Sequence, residues 1–194
     1  YISGAGCYDT NCSDKPREDT LQTYKCIGGA YGLSKYLAEL AVRNLTAEKC
    51  TVFRPSSLYG SYMPGARIIP RLLEMARQQS VVSVDDDGTT FNLLHCYDVA
   101  RAVASSVENK VYGVFNLAYH ENITFSQIAD TISTLLGCRN EPIVNLVTAS
   151  GGVKNRFNLD CAAAESQLGF IPLIGLSEGL DLMVKSKLLP DELR

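Results

Sequence analysis

The sequence lacks several features that would assign a class of protein directly. It contains no tryptophan and two histidines, and none of its seven cysteines belongs to a Cys-x-x-Cys pair. Because ligand pairs are missing, a structural zinc site is a poor explanation of the cysteines. The odd cysteine count also argues against a disulfide framework, so we expect reduced thiols and a cytoplasmic location.

Charge and hydropathy exclude further classes. The formal net charge is −3 and no run of lysine or arginine occurs, so we expect no surface that follows nucleic-acid phosphates. No apolar run approaches the roughly 18 residues that a membrane helix needs. The rest of the composition, 46% hydrophobic and 20% charged over 194 residues, is typical of one globular domain or one and part of another.

Strand-like and helix-like segments alternate along the chain. This order predicts an α/β fold with mainly parallel strands, and such sheets bind ligands beyond the carboxyl ends of their strands. The predicted strands are Tyr1–Ser3, Cys50–Arg54, Val81–Val84, Phe91–Leu94, Gly113–Leu117 and Ile143–Val147, with a turn at Asp85–Gly88. The predicted helices run from about 30 to 45, 68 to 79, 97 to 107, 125 to 136, 160 to 169 and 177 to 187.

Several polar residues are predicted to start or support helices. Thr124 and Gln127 have the spacing of a capping box, and Gly137 follows as a helix stop. Asp160 and Ser177 are predicted N-caps of the last two helices. We expect His95 to have a structural hydrogen-bonding role. Asp98 is expected to stabilise the start of the helix that follows it. The polar stretch from 9 to 29 is expected to be a surface loop.

Tyr31 and Lys35 lie four residues apart on a predicted helix, so their side chains share one face. A phenol has an ordinary pKa of about 10 and is a poor acid–base catalyst at neutral pH. A fixed ammonium nearby favours the phenolate, and its remaining donors can hold sugar hydroxyls. The spacing alone is a weak signal, and its value depends on the neighbouring segments.

Five segments, in order, resemble the extended short-chain dehydrogenase/reductase superfamily, and within it the NAD-dependent epimerase/dehydratase family. The resemblance covers essentially the whole chain. The segments are Tyr1–Tyr8, Tyr31–Lys35, Phe53–Gly60, Leu94–Ala100, and a carboxyl-terminal set formed by Gly113–Gly137, Asn158–Asp160 and Leu168–Pro172.

The resemblance implies the carboxyl-terminal part of a Rossmann-like, doubly wound parallel sheet with a small α/β substrate-binding lobe. Residues 1–60 would belong to the cofactor-binding domain and residues 61–194 mainly to the lobe, with about 91–107 returning to the first. The family's Gly-x-x-Gly-x-x-Gly loop, which holds the dinucleotide pyrophosphate, would belong upstream of residue 1. We therefore expect a piece of a longer polypeptide without the main cofactor site.

The resemblance also implies roles for single residues. Tyr31 would exchange a hydroxyl proton with the substrate as hydride moves, and Lys35 would favour the phenolate and hold the ribose of NAD or NADP. Pro55, Ser56 and Ser57 would contact the nicotinamide side. Substrate contacts would come from Ser3, Gly4, Ser57 and Arg67, the substrate being a small molecule such as a nucleotide sugar, and a homodimer would form through the Tyr31 helix.

Three positions depart from the family pattern. The serine or threonine that hydrogen-bonds the reacting oxygen falls on Gly4, an arginine for the substrate diphosphate falls on Phe91, and an asparagine falls on Ser57. Ser3, next to Gly4, would point to the opposite face of its strand. Thr10, Ser13 or a bound water would replace the hydroxyl. Arg67, Arg71 or Arg156 would supply the anion contact in place of the arginine.

These departures leave three functions open. The first is an epimerase/dehydratase-type enzyme acting on a nucleotide-sugar-like or other hydroxylated substrate. The second, favoured by Phe91, is an NADP-dependent carbonyl reductase of the same superfamily. The third, favoured by Gly4, is a catalytically impaired relative that binds a dinucleotide or a partner. The carboxyl-terminal segments favour the first.

Overall fold

The computed structural model describes residues 1–12, 15–20, 24–79, 81–138, 141–147, 155–156 and 158–186. The strands are β1 (Thr51–Pro55), β2 (Ser57–Tyr59), β3 (Ser83–Asp86), β4 (Thr90–Phe91), β5 (Leu93–His95), β6 (Gly113–Leu117), β7 (Ile143–Leu146) and β8 (Asn155–Arg156). The helices are α1 (Gly29–Leu45), α2 (Ile68–Gln79), α3 (Cys96–Glu108), α4 (Phe125–Leu136), α5 (Ala162–Leu168) and α6 (Leu176–Ser186), and a 3₁₀ turn spans Ala5–Cys7.

The chain divides into two compact units. The first consists of the described residues within Tyr1–Leu58, Asn92–Glu121 and Phe157–Leu173. The second consists of those within Tyr59–Phe91, Asn122–Arg156 and Ile174–Arg194.

Parallel strands form the centre of the first unit. β1 pairs with β6 in parallel from Thr51 opposite Gly113 to Pro55 opposite Leu117. On the other side of β1, the first residues of the chain run parallel to it through a bridge between Ile2 and Phe53. The prediction of a parallel α/β sheet is therefore confirmed.

The two faces of this sheet differ in chemistry because successive strand residues point to opposite sides. Phe53 and Phe115 lie opposite each other, their ring centroids 6.3 Å apart, and pack with residues of α3 and α5 in one buried apolar cluster. The next pair along the strands, Arg54 and Asn116, is also buried, with exposed fractions of 2% and 0%. One face of the sheet is therefore apolar and the other carries a buried polar layer.

The second unit contains the parallel pairs β3–β7 and β4–β8 together with α2, α4 and α6. The predicted capping box at the start of α4 is confirmed: the Thr124 hydroxyl accepts from the Gln127 N–H, and the Gln127 side chain accepts from the Thr124 N–H. Gly137 ends α4 with φ 61°, the left-handed conformation that glycine adopts readily.

Other boundaries correct the sequence-based expectations. The strand expected at Val81–Val84 runs from Ser83 to Asp86, so the first two aspartates of the expected turn lie in a strand. The strand expected at Phe91–Leu94 is divided at Asn92. Neither predicted N-cap holds that position: α6 begins before Ser177, and Cys161 is the N-cap of α5, although the Asp160 carboxylate accepts from the Ala162 N–H at 3.0 Å.

None of the helices in the described ranges is long and apolar enough to cross a membrane.

Candidate active site

Helix α1 is held against the 3₁₀ turn by a contact between glycines. The Gly28 N–H donates to the Gly6 carbonyl at 2.8 Å. A β-carbon at Gly32 would lie 2.0 Å from that same oxygen, so no side chain fits there. The backbone of α1 can approach the 3₁₀ turn this closely only because residue 32 is a glycine.

Tyr31 and Lys35 lie on one side of this helix, as predicted. Tyr31 is 67% exposed, and the Lys35 ammonium nitrogen lies 6.0 Å from the centroid of its ring. The ammonium donates one hydrogen bond to the carbonyl of Ile2 at 2.8 Å and lies 5.3 Å from the Tyr1 ring. Lys35 thus links the helix to the strand end that carries Ser3 and Gly4.

Gly4, the position at which the family resemblance predicts a hydroxyl, has open space around it. Its backbone is extended, with φ 172° and ψ 154°, and a β-carbon built on it would meet no atom of the described residues within 4 Å, its chain neighbours apart. Ser3, its neighbour, is 4% exposed, and its hydroxyl has no hydrogen-bond partner in the described part of the chain. Because neighbouring residues of an extended chain point to opposite faces, the Ser3 hydroxyl does not fill the space at Gly4.

The segment Pro55–Ser57 leaves the carboxyl end of β1, next to the strand end that carries Gly4. The Ser56 N–H donates to the Leu117 carbonyl at 2.8 Å, and the Ser57 N–H donates to the Asn92 carbonyl at 3.1 Å. Ser56 is 7% exposed, and its hydroxyl has no hydrogen-bond partner within the described ranges. An unpaired buried hydroxyl is costly, which makes Ser56 a candidate for a ligand contact.

A buried ion pair that the sequence analysis did not single out lies behind these groups. Arg54 donates to both carboxylate oxygens of Glu39, from Nε at 3.1 Å and from Nη2 at 2.6 Å. Glu39 is fully buried, and Arg54 is 2% exposed. Burial by itself lowers the pKa of Arg54, but the hydrogen bonds to Glu39, together with the charges of Tyr8, Cys7 and Glu39, outweigh it and hold the pKa above its ordinary value.

The same arginine extends the pair into a network. Arg54 Nη1 donates to the Tyr8 hydroxyl at 3.1 Å, which donates to Asn116 Oδ1 at 2.6 Å. Burial raises the pKa of Tyr8, more than Arg54 lowers it. The Asn116 side chain also donates to the carbonyls of Pro16 and Asp160, each at 3.0 Å. Part of the expected surface loop is thus tied to the sheet.

His95 and Asp98 have the structural roles that the sequence predicted. His95 is the N-cap of α3, and its Nδ1 accepts from the Tyr97 N–H at 3.3 Å. Asp98 is fully buried in the first turn and accepts from Arg101 Nη1 at 2.9 Å and from the Leu173 N–H at 3.0 Å. Among the residues that the structure describes, no cluster of three histidine, cysteine or acidic side chains could hold a metal ion.

The remaining predicted site residues have the following surroundings within their own units. Thr10 is exposed, and its N–H donates to the Lys25 carbonyl at 2.8 Å. Arg67 and Arg71 are exposed residues of the second unit. Phe91 packs on Phe125 with ring centroids 4.4 Å apart. Ser13 and the side chain of Arg156 lie outside the described residues.

Parallel strands, alternating helices and a Tyr-x-x-x-Lys helix against their carboxyl ends define a Rossmann-type protein of the short-chain dehydrogenase/reductase class. A sequence model of the NAD dependent epimerase/dehydratase family matches residues 1–118. This chain belongs to that family.

Known proteins resemble the chain over most of its length. A dTDP-4-dehydro-6-deoxyglucose reductase of Escherichia coli is 26% identical over 168 residues, which is 81% of this chain and 52% of that protein. The chain thus spans about half the length of this curated relative. The structure of a UDP-glucose 4-epimerase of Thermotoga maritima with UDP-glucose is 26% identical, with a TM-score of 0.79, covering 96% of this chain and 62% of that one. The structure of RMD from Pseudomonas aeruginosa with NADPH shows the same fold, with 18% identity, a TM-score of 0.79, and coverage of 96% and 65%.

Proposed function

We propose that this chain is part of an NAD(P)-dependent enzyme of the epimerase/dehydratase type, acting by hydride and proton transfer on a nucleotide sugar or a similar hydroxylated substrate. The observation that carries the proposal is the placement of Tyr31 and Lys35. Both project from one face of α1, and the Lys35 ammonium contacts the strand end that carries Gly4. The substrates named for the reductase and the epimerase above support the choice of a nucleotide sugar.

In this proposal each residue has a defined task. The exposed Tyr31 hydroxyl takes or gives the proton of a substrate hydroxyl. Lys35 supplies a fixed positive charge beside the ring, and an ammonium has three donors of which Ile2 uses one. The open space at Gly4 receives the reacting part of the substrate, with Ser57 and the exposed Arg67 as further substrate contacts.

The residues present fit the nicotinamide end of a dinucleotide. The unpaired, buried Ser56 hydroxyl lies at the carboxyl end of β1, where ligands of such sheets bind. Lys35 would hold the ribose, and Pro55–Ser57 would contact the nicotinamide. The cofactor supplies the hydride chemistry, and the protein supplies orientation and charge. The family is NAD dependent and one neighbour binds NADPH, so the proposal includes both dinucleotides.

The proposal is tested by incubating the full-length protein with NAD or NADP and a panel of nucleotide sugars. We expect an epimerised, dehydrated or reduced sugar, together with the absorbance of reduced nicotinamide where it accumulates or is consumed. If no nucleotide sugar reacts with either dinucleotide, the proposed substrate class is wrong.

A carbonyl reductase of the same superfamily is the second candidate. Phe91 favours it, because an apolar ring packed on Phe125 lies where the family resemblance predicts an arginine for a substrate diphosphate. The same assay distinguishes the two enzymes. Consumption of NADPH with simple ketones or aldehydes, without reaction of any nucleotide sugar, would favour the reductase. Binding of a dinucleotide without any turnover would favour a catalytically impaired relative, as Gly4 suggests.

The same proposal includes a cytoplasmic homodimer that associates through α1. Leu37, Leu40 and Leu45 on this helix are 56%, 41% and 87% exposed, which is unusual for leucines. All seven cysteines are free thiols in the structure. Light scattering tests the association. We expect the full-length protein to be a dimer and its Leu40→Lys variant to be a monomer. A monomeric wild type would contradict the proposed dimer.

A further inference from the structure

The Arg54–Glu39 ion pair joins the two elements that carry the proposed active-site residues. Glu39 lies one helical turn after Lys35 on α1, and Arg54 immediately precedes Pro55 on β1. Two hydrogen bonds, at 3.1 Å and 2.6 Å, connect the planar guanidinium to the two carboxylate oxygens. Such a two-point contact fixes orientation as well as distance, so it determines where α1 lies along β1.

The third nitrogen of the guanidinium connects the pair to the turn beyond Gly4. Arg54 Nη1 donates to the Tyr8 hydroxyl at 3.1 Å, and Tyr8 directly follows the 3₁₀ turn that begins after Gly4. The guanidinium carbon also lies 5.0 Å from the centroid of the Tyr8 ring. One arginine therefore contacts the helix, the turn and its own strand.

A requirement for stability alone does not explain this pair. Removing two charges from water is costly, and an apolar pair of similar volume often serves a fold as well or better. A bidentate pair gives in addition a fixed geometry. Proton transfer needs such geometry, because displacing a reacting group by about 1 Å lowers a rate on the order of 100-fold.

We propose that Arg54 and Glu39 are positioning residues, which hold Tyr31 and Lys35 in register with Pro55–Ser57 and with the turn after Gly4. This inference rests on the proposed function. Neither residue touches substrate or cofactor in this account, and both act through the elements they join. Loss of the pair should therefore lower kcat and leave KM nearly unchanged.

The test is the double variant Glu39→Leu/Arg54→Met in the full-length protein, assayed with NAD(P) and the nucleotide sugar that reacts with the wild type. The double change leaves no single charge behind. The Tyr8 hydroxyl keeps Asn116 as its acceptor, and Arg43, whose Nη1 lies 3.9 Å from Glu39, is 32% exposed and can turn to water. We expect an unfolding midpoint equal to or above that of the wild type.

For the double variant we expect kcat to fall about 10- to 100-fold while KM stays within about twofold. The matched control is Arg101→Met, which removes another arginine–carboxylate pair of the first unit, at 2.9 Å, whose two partners both lie on α3. Its kcat should stay within about twofold of the wild type.

A second variant keeps the test decisive if the double variant unfolds. Arg54→Lys retains the charge, but an ammonium cannot reproduce the two parallel hydrogen bonds. We expect a fall in kcat of at least about fivefold at unchanged KM for Arg54→Lys. A folded double variant, or a folded Arg54→Lys, with wild-type kcat would overturn the positioning role alone. An inactive wild type would overturn the proposed function and, with it, this inference.

Discussion

The carbonyl oxygen of Gly6 occupies the place where a β-carbon on Gly32 would stand, 2.0 Å from the ideal position of that carbon. Gly32 lies between Tyr31 and Lys35 in the sequence, so this contact determines how closely both residues approach the turn that follows Gly4. The glycine is explained by backbone packing, because its neighbours leave no room for a side chain.

A methyl group at this position should therefore separate α1 from the turn. We expect Gly32→Ala to lower the free energy of unfolding by about 1–3 kcal/mol, because overpacking forces a backbone shift. Urea denaturation measures this change. The control is Gly65→Ala, where a β-carbon would meet no described atom beyond its chain neighbours within 4 Å and the expected change is within about 0.5 kcal/mol. Equal stability of the two variants would show that α1 does not make the close contact.

Restoring a hydroxyl at Gly4 should increase turnover. The extended backbone and the open space around a β-carbon allow serine without strain. A hydrogen bond to the reacting oxygen is worth on the order of 10²–10³ in rate, which sets the largest increase that we expect for Gly4→Ser. Steady-state kcat is the measurement, with Gly65→Ser as the control. An unchanged kcat would mean that another group already supplies this hydrogen bond.

Asp86 should make the stability of the second unit depend on pH. The Ser126 hydroxyl, the Ser126 N–H and the Gly88 N–H donate to its carboxylate and hold its pKa below the ordinary value. A carboxyl group with a lowered folded-state pKa stabilises the fold above its unfolded-state pKa, and this stability is lost as pH falls through the folded-state value.

We therefore expect Asp86→Asn to lower the free energy of unfolding by about 1.5–3 kcal/mol at pH 7. The difference from the wild type should narrow as pH falls below about 3.9, the ordinary aspartate pKa. Chemical denaturation at pH values from about 3 to about 7 measures this difference in the free energy of unfolding. Asp85→Asn, at the exposed neighbour, is the control, and its cost should stay below about 1 kcal/mol. A cost for Asp86→Asn that does not vary with pH would contradict the assignment.

Elements with strong local signals were predicted accurately from the sequence. Helix α2 and strand β6 have the predicted bounds, Ile68–Gln79 and Gly113–Leu117. The capping box at Thr124 also has the predicted hydrogen bonds. In each case the information lies within a few neighbouring residues, as periodicity or as a cap, and tertiary packing does not override it.

Features that depend on distant partners were missed. Three consecutive aspartates followed by glycine are typical of a turn, yet Asp85 and Asp86 lie in β3. Strand β3 pairs with β7 some sixty residues later, and the Asp86 carboxylate caps α4 through Ser126. No local pattern carries that pairing.

The candidate site shows the same division. Helical periodicity was sufficient to place Tyr31 and Lys35 on one face, and the absence of a family hydroxyl at Gly4 stays a prediction from the resemblance. The Arg54–Glu39 pair was not predicted, because it forms only when α1 lies over β1 at one register. The alternation of Phe53 and Arg54 along a short strand did not by itself show which face would be polar.

The most direct test of the central claim is the activity of Tyr31→Phe in the full-length protein with NAD(P) and nucleotide sugars. Because Tyr31 is 67% exposed, the substitution should leave the unfolding midpoint unchanged. We predict that the wild type turns over at least one nucleotide sugar and that Tyr31→Phe lowers kcat on the order of 10²–10⁴-fold, the contribution of a general acid–base group. A folded Tyr31→Phe variant with wild-type kcat would contradict the account.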